Sequence, residues 1–210
     1  MKRAFVAASI AVAVACGPAH ANIFGQYVPA PPLPVNEHLF GAYLGASDDV
    51  VSLLAQLRLS FYPGVDFGFQ GGLSRIDFGS DKRTALKLGG DLRFAVLRAD
   101  AQLPIDLSLG GALGVESGDD YSILSLGPTA VASRTFKVGS SALSPYAGIV
   151  LQFSSIDVGP LDDTDFSIPL RLGAELAAAP GLRFCGELDL RLGDDFNDDL
   201  GFSVGVNLPF

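Results

Sequence analysis

Large apolar side chains recur at every second residue along most of this chain, a period that extended strands with unlike faces satisfy and helices do not. The last ten residues, GFSVGVNLPF, show it most plainly. Phe202, Val204, Val206, Leu208 and Phe210 share one face, while Gly201, Ser203, Gly205, Asn207 and Pro209 share the other. From His38 onward ten such segments are placed at 38–46, 51–62, 65–78, 84–98, 104–117, 121–136, 142–156, 165–178, 182–193 and 200–210. Most outrun the roughly 5–6 residues of a soluble strand and match the roughly 9–11, plus overhang, of a tilted membrane strand.

Three segments show what each face carries. Leu86, Leu88, Leu92, Phe94 and Val96 oppose Lys87, Asp91 and Arg93; Phe166, Ile168, Leu170, Leu172 and Leu176 oppose Ser167, Arg171 and Glu175. In the ninth segment Leu182, Phe184, Leu188, Leu190 and Leu192 oppose Arg183, Glu187, Asp189 and Arg191. Charges in mid-strand are costly against a dry core or lipid, and tolerable where they line a polar lumen. Lys87, Asp91, Arg93, Arg171, Glu175, Arg183, Glu187, Asp189 and Arg191 are therefore expected as a lumen charge network, with Arg171, Arg183 and Arg191 bridging to Glu175, Glu187, Asp189 and Asp91. Glycines on that face, such as Gly68, Gly72, Gly89, Gly110, Gly114, Gly201 and Gly205, leave room for long side chains.

The connections alternate in charge. Those after the odd-numbered segments, counted with Asp165, hold 13 of the 23 acids, and those after the even-numbered segments hold Asp100 alone. Two rims facing different compartments give that segregation a reason. An even strand number then puts both chain ends on the side of the short turns.

Residues 1–21 read as a signal peptide: Lys2 and Arg3, the apolar AFVAASIAVAVA, and Ala19-His20-Ala21 as a small-x-small cleavage site. A competing cut before Cys16, with a lipid on that cysteine, has only the weak lipobox AVAC in its favour. Loss of Lys2 and Arg3 from the 14 basic residues leaves 12 against 23 acids, a net charge of −11. Nucleic acid, which needs a basic footprint, is excluded as a partner. With Cys185 the sole other cysteine, no disulfide framework is expected. Residues 22–37, with prolines at 29, 31, 32 and 34, suit neither helix nor central strand and are expected as a periplasmic leader.

Two places break the pattern. In SRIDF, Arg75 is out of phase, and a bulge near the outer rim would repair it. Pro128 lies mid-segment and removes a ladder donor. Without that segment the count falls to eight.

These features, above all Phe210 preceded by Leu208, Val206, Val204 and Phe202, resemble the Gram-negative outer-membrane β-barrel proteins. Among them the chain is similar to the small barrels of the OmpA transmembrane-domain, OmpX and opacity-protein type, over residues 38–210. The resemblance implies that the terminal alternating set is the signal read by the barrel assembly machinery, with periplasmic chaperones as biogenesis partners and outer-membrane lipid and lipopolysaccharide as surroundings. The short outer loops depart from adhesins of this type.

No catalytic constellation is found, and no cofactor is expected. Ten strands suggest the omptin proteases, which use Asp pairs and a histidine at the outer rim, but His38 belongs at the inner end. HLF at 38–40 does not supply the His-x-Ser of barrel lipid-A deacylases. Cys185 has neither His nor a second Cys beside it in sequence and reads as a packing residue. Acidic DDTD and DDFNDD read as solvated turns or as divalent-cation sites, though neither has EF-hand spacing. The expectation is one all-β, closed, antiparallel, up-and-down transmembrane barrel of ten strands in the outer membrane, with a structural or surface role and no enzymatic one. A narrow passive channel and a soluble secreted ligand-binding barrel are the other readings.

Overall fold

The structure, a computed structural model, describes residues 25–47, 50–78, 81–119, 121–159, 161–192 and 200–210. The expected signal peptide, Cys16, residues 22–24 and the DDFNDD stretch lie outside the described residues. Ten strands follow in chain order: β1 (His38–Ser47), β2 (Val50–Tyr62), β3 (Val65–Phe78), β4 (Asp81–Leu97) and β5 (Asp106–Ser117). Next come β6 (Tyr121–Ser133, continued by Phe136–Val138) and β7 (Ser141–Val150, continued by Gln152–Val158). The set ends with β8 (Leu161–Ala179), β9 (Leu182–Leu192) and β10 (Leu200–Pro209). Each pairs antiparallel with its sequence neighbours, and β10 returns to β1 with Leu39 opposite Pro209 and Ala46 opposite Phe202, so the sheet closes. Phe210 completes the seam: its N–H donates to the His38 carbonyl at 3.0 Å, and the His38 N–H to the Phe210 carbonyl at 3.1 Å.

The two interruptions keep register, which is why the count is ten and not eight. Pro128 lies opposite Leu151, whose N–H still donates to the Pro128 carbonyl at 3.1 Å. Pro128 itself has no N–H to return, so one ladder bond is missing and the strand persists. Gly127 and Thr129, to either side of it, pair in sequence with Ala112 and Gly110 of β5.

SRIDF carries no bulge. β3 holds one register with β4 from Val65 to Phe78. Ile76 points inward on a cluster with Ala85, Tyr121 and Ile123, and Arg75 points outward at the rim, where the outer face leaves hydrocarbon. The register shifts fall instead near the inner rim, at Leu59/Tyr62, Ala95/Leu97 and Ala177/Ala179. There the chain tightens into turns around Gly64 and Gly181, whose positive φ values of 73° and 77° suit glycine. In the longer inner turn, Asp100 accepts from the Gln102 and Leu103 N–H groups at 2.7 Å each, which holds its carboxyl below the usual carboxylate range.

Amphipathicity is inverted relative to a soluble protein. Leu44, Leu53, Phe69, Leu73, Leu88, Leu113, Leu126, Phe153, Phe184 and Phe202 are exposed on the outside, while Arg58, Asp66, Arg93, Arg171 and Glu187 are buried within. Phe202, Val204, Val206, Leu208 and Phe210 all lie on or at the edge of that apolar exterior. A soluble binding barrel would put its apolar side chains inside and is ruled out by this distribution. An even-stranded, closed antiparallel barrel with an apolar outside and a charged inside is the build of bacterial outer-membrane proteins, and the Gram-negative outer membrane is where it resides.

Candidate functional site: a filled lumen

Alternation sends the even residues of β2 and β3 and the odd residues of β4 inward, and near the inner rim this brings four charges together. Arg58 donates to Asp66 at 2.6 Å and to both oxygens of Asp91 at 2.6 and 3.0 Å. Arg93 grips Asp66 two-pronged, Nε to Oδ1 at 3.0 Å and Nη2 to Oδ2 at 2.6 Å. Paired guanidinium forks of this kind are the strong form of charge-assisted hydrogen bond. Gly68 is required between them: a Cβ there would run into Arg58 and Asp91.

The opposite wall carries a second group. Arg171 donates to Asp189 at 3.0 Å, and Arg183 to Glu175 at 3.2 Å. Asn207 Nδ2 donates to Glu175 at 2.8 Å, and the Tyr43 hydroxyl reaches Asn207 Oδ1 and, at 3.2 Å, Gln56 Oε1. Toward the outer end Lys87 pairs with Glu116 at 3.0 Å, and Glu116 accepts from the Tyr121 hydroxyl at 2.7 Å. Beyond them the Ile76, Ala85, Tyr121 and Ile123 cluster, with Val50 and Ile156 against it, fills the lumen with apolar side chains.

Residues 25–33, expected as part of a periplasmic leader, instead lie within the barrel, and residues 34–37 are exposed. Tyr27, Val28, Ala30 and Leu33 are buried against the inner wall: Tyr27 with Tyr43, Leu54 and Cys185; Val28 and Leu33 with Leu39; Ala30 with Val131 and Tyr146. The Tyr27 and Tyr43 rings stack with centroids 4.0 Å apart. Glu187 accepts from the Gln26 and Tyr27 N–H groups at 2.9 Å each and from the Tyr146 hydroxyl at 2.7 Å. The physical reason for the placement is this set of acceptors. A segment whose prolines rule out a ladder meets, inside the lumen, side chains that accept from its Gln26, Tyr27, Ala30 and Leu33 N–H groups.

Of the nine residues expected as a network, Lys87, Asp91, Arg93, Arg171, Glu175, Arg183, Glu187 and Asp189 face the lumen. Asp91 pairs with Arg58 and not with a β8 or β9 arginine. Arg191 stands opposite Pro169 in the ladder, and its side chain lies outside the described residues. Arg58, Asp66 and Glu116 were not singled out from sequence, although each sits in the inward phase of its strand.

The other candidates separate from any such centre. His38 sits at the inner rim between Phe61 and Phe210, 6.3 and 5.6 Å away by ring centroids. Cys185 faces the lumen beneath Tyr27. Within DDTD, Asp162 stands opposite Asp157 in the ladder, while Asp163 and Asp165 share the other face of the strand. Among the described residues no cluster of three metal-ligating side chains occurs.

No family model matches the chain, and no curated protein matches it. Among solved structures it is similar to the beta domain of the Bordetella autotransporter Brka, at 11% identity and a TM-score of 0.49 over 84% of this chain and 100% of that one. It is also similar to an outer membrane channel from Pseudomonas putida F1, at 11% identity and 0.43 over 91% and 100%. A third similarity is to LpxR from Salmonella typhimurium, at 11% and 0.43 over 83% and 99%. At such identities and scores these likenesses carry nothing about activity, and the architecture rests on the strand pairing above.

Proposed function

We propose that this protein is a closed barrel of the outer membrane whose role is structural or at the cell surface, neither conducting solutes nor catalysing a reaction. The observation that carries this reading is that its lumen is occupied along its length. The inner half holds residues 25–33 among the arginine and carboxylate pairs, the Lys87 and Glu116 pair lies beyond them, and the outer end holds the Ile76 and Tyr121 cluster. A void lined by Gln26, Gln70, Asp91, Thr129 and Arg171 has a volume of about 10 Å³, room for one water molecule and not for a hydrated ion. Against a catalytic role stand the separation of His38 from the lumen acids and the burial of Cys185 under Tyr27. Lipopolysaccharide as neighbour and the assembly machinery as reader of Phe210 belong to the same reading. The resemblance in sequence pattern to OmpA and OmpX barrels is in keeping with a structural role, although those close with about eight strands and this one with ten.

Purified protein inserted into planar bilayers is expected to leave the membrane at its baseline conductance, with insertion verified by protease protection and a heat-modifiable band on electrophoresis. Steady ohmic conductance proportional to inserted protein would replace this reading with that of a narrow channel.

A further inference from the structure

Residues 25–34 join no β-ladder among the described residues, and yet four of their N–H groups and three of their carbonyls meet side chains of the barrel. The N–H groups of Tyr27, Ala30 and Leu33 donate to Glu187 at 2.9 Å, Ser133 Oγ at 3.0 Å and Asp66 at 3.1 Å. The spacing of three is that of an extended proline-type chain, although this one bends at Val28, Ala30 and Pro31. Prolines 29, 31 and 32, which have no N–H, fall between the donors, and Pro34 follows the last of them. The barrel in turn donates to the segment's carbonyls: Gln70 to Gly25 at 3.3 Å, Asn207 to Tyr27 at 2.9 Å and Arg93 to Pro29 at 2.9 Å. Side chains have their own seats, Tyr27 on Tyr43, Ala30 between Val131 and Tyr146, and Leu33 on Leu39.

This is how a peptide-binding cleft is built, with backbone hydrogen bonds for affinity and side-chain seats for specificity. The cleft is also blind. Among the described residues the lumen above it is filled by the Lys87 and Glu116 pair and the Ile76 cluster, so the cleft opens toward the inner rim. Tyr27 is held at a φ of 55°, a conformation unfavourable for a bulky residue, which marks the seat as imposing shape on its occupant.

We propose that the inner half of the lumen is a binding cavity for an extended proline-rich peptide of the pattern aromatic-x-Pro-small-Pro-Pro-apolar-Pro. At rest the cavity is filled in cis by Tyr27–Pro34, and it accepts the same chemistry in trans. The proposal rests on the outer end being closed. Bilayer conductance would overturn that premise, whereas the experiment below can fail with the barrel still closed.

The test uses the full chain with Ala30→Asp and Leu33→Asp, which place carboxylates in an apolar seat and beside Asp66 and so unseat the cis segment. A fluorescent peptide of residues 25–36 is titrated against this variant and against the unaltered chain in detergent. Saturable binding to the variant is expected, with binding to the unaltered chain about tenfold or more weaker, because a tethered copy competes at roughly millimolar effective concentration. A scrambled peptide of the same composition is expected not to bind. Equal binding to both chains, equal binding of the scrambled peptide, or no binding to a heat-modifiable variant would each overturn the proposal. Should the variant fail to fold, the unaltered chain is mixed with excess peptide carrying a photo-crosslinker at the Tyr27 position. Crosslinks are expected on β1 and β9 around Tyr43 and Cys185, and crosslinks confined to the exterior, or none, would contradict it.

Discussion

Asp66→Ala is expected to lower the stability of the folded barrel by about 3–5 kcal/mol, the usual result of removing one partner from a buried ion pair. Asp66 is 0% exposed and is shared by Arg58 and Arg93, themselves 1% and 2% exposed. Its loss leaves Arg93 with the neutral Pro29 carbonyl in place of a carboxylate and Arg58 with Asp91, and it also removes the acceptor for the Leu33 N–H. The cost comes mainly from the cations left behind and less from the attraction lost, and a second variant separates the two. Adding Arg93→Met to Asp66→Ala removes a stranded charge and is expected to restore part of the stability. Urea unfolding in lipid vesicles, followed by the heat-modifiable band, measures both. A change in Asp66→Ala of under about 1 kcal/mol, the scale of a surface ion pair, would mean that water reaches these groups and the lumen is open.

Leu88→Arg is expected to cost about 2–4 kcal/mol, the penalty for an arginine facing lipid near the bilayer midplane. Leu88 is 54% exposed, midway along β4 with Gly71 and Val115 beside it, and it contacts no core. In a soluble protein a substitution at such a position changes stability by about 0.5 kcal/mol or less. The size of the effect therefore reports the solvent. The same substitution at Val51, close to the outer rim, is expected to cost less, because the penalty falls to roughly 0–1 kcal/mol near the interface. Equal, small effects at both positions would argue that neither side chain touches hydrocarbon.

How much of this was legible beforehand follows from which forces are local. The strands were, because a membrane strand must turn one face to lipid for its whole length, and that prints a two-residue period on the chain. Even Pro128 did not hide its strand, since the neighbouring residues kept phase and only one ladder bond was missing. The expected bulge at SRIDF failed for a related reason: Arg75 and Ile76 sit near a rim, where lipid no longer dictates which side is apolar. Arg58, Asp66 and Glu116 could have been read as lumen groups from phase alone, each lying an even number of residues from other inward polar side chains.

The placement of residues 25–37 was not legible in that way. Prolines at 29, 31, 32 and 34 say what the segment cannot form, and its partners, from Asp66 and Arg93 to Ser133, Glu187 and Asn207, lie 33 to 180 residues away. A signal was present in retrospect, since the residues that retain an N–H between those prolines, Ala30 and Leu33, stand three apart with Tyr27 before them. Only a structure supplies the carboxylates and hydroxyl at matching heights. The same holds for the partner choice inside the network. Arg58 takes Asp91 because β2, β3 and β4 are adjacent in the sheet, and the β8 and β9 arginines stand on the far wall.

The chain contains no tryptophan, so a single one can report its own surroundings. Five variants, Phe69→Trp, Leu88→Trp, Leu126→Trp, Phe153→Trp and Leu188→Trp, sample the outward faces of β3, β4, β6, β7 and β9. Reconstituted into vesicles with lipids brominated along their acyl chains, all five are expected to show blue-shifted emission that the bromines quench strongly. Water-like emission that the brominated lipids leave unquenched, at these positions in folded protein, would contradict a barrel whose outer face meets hydrocarbon.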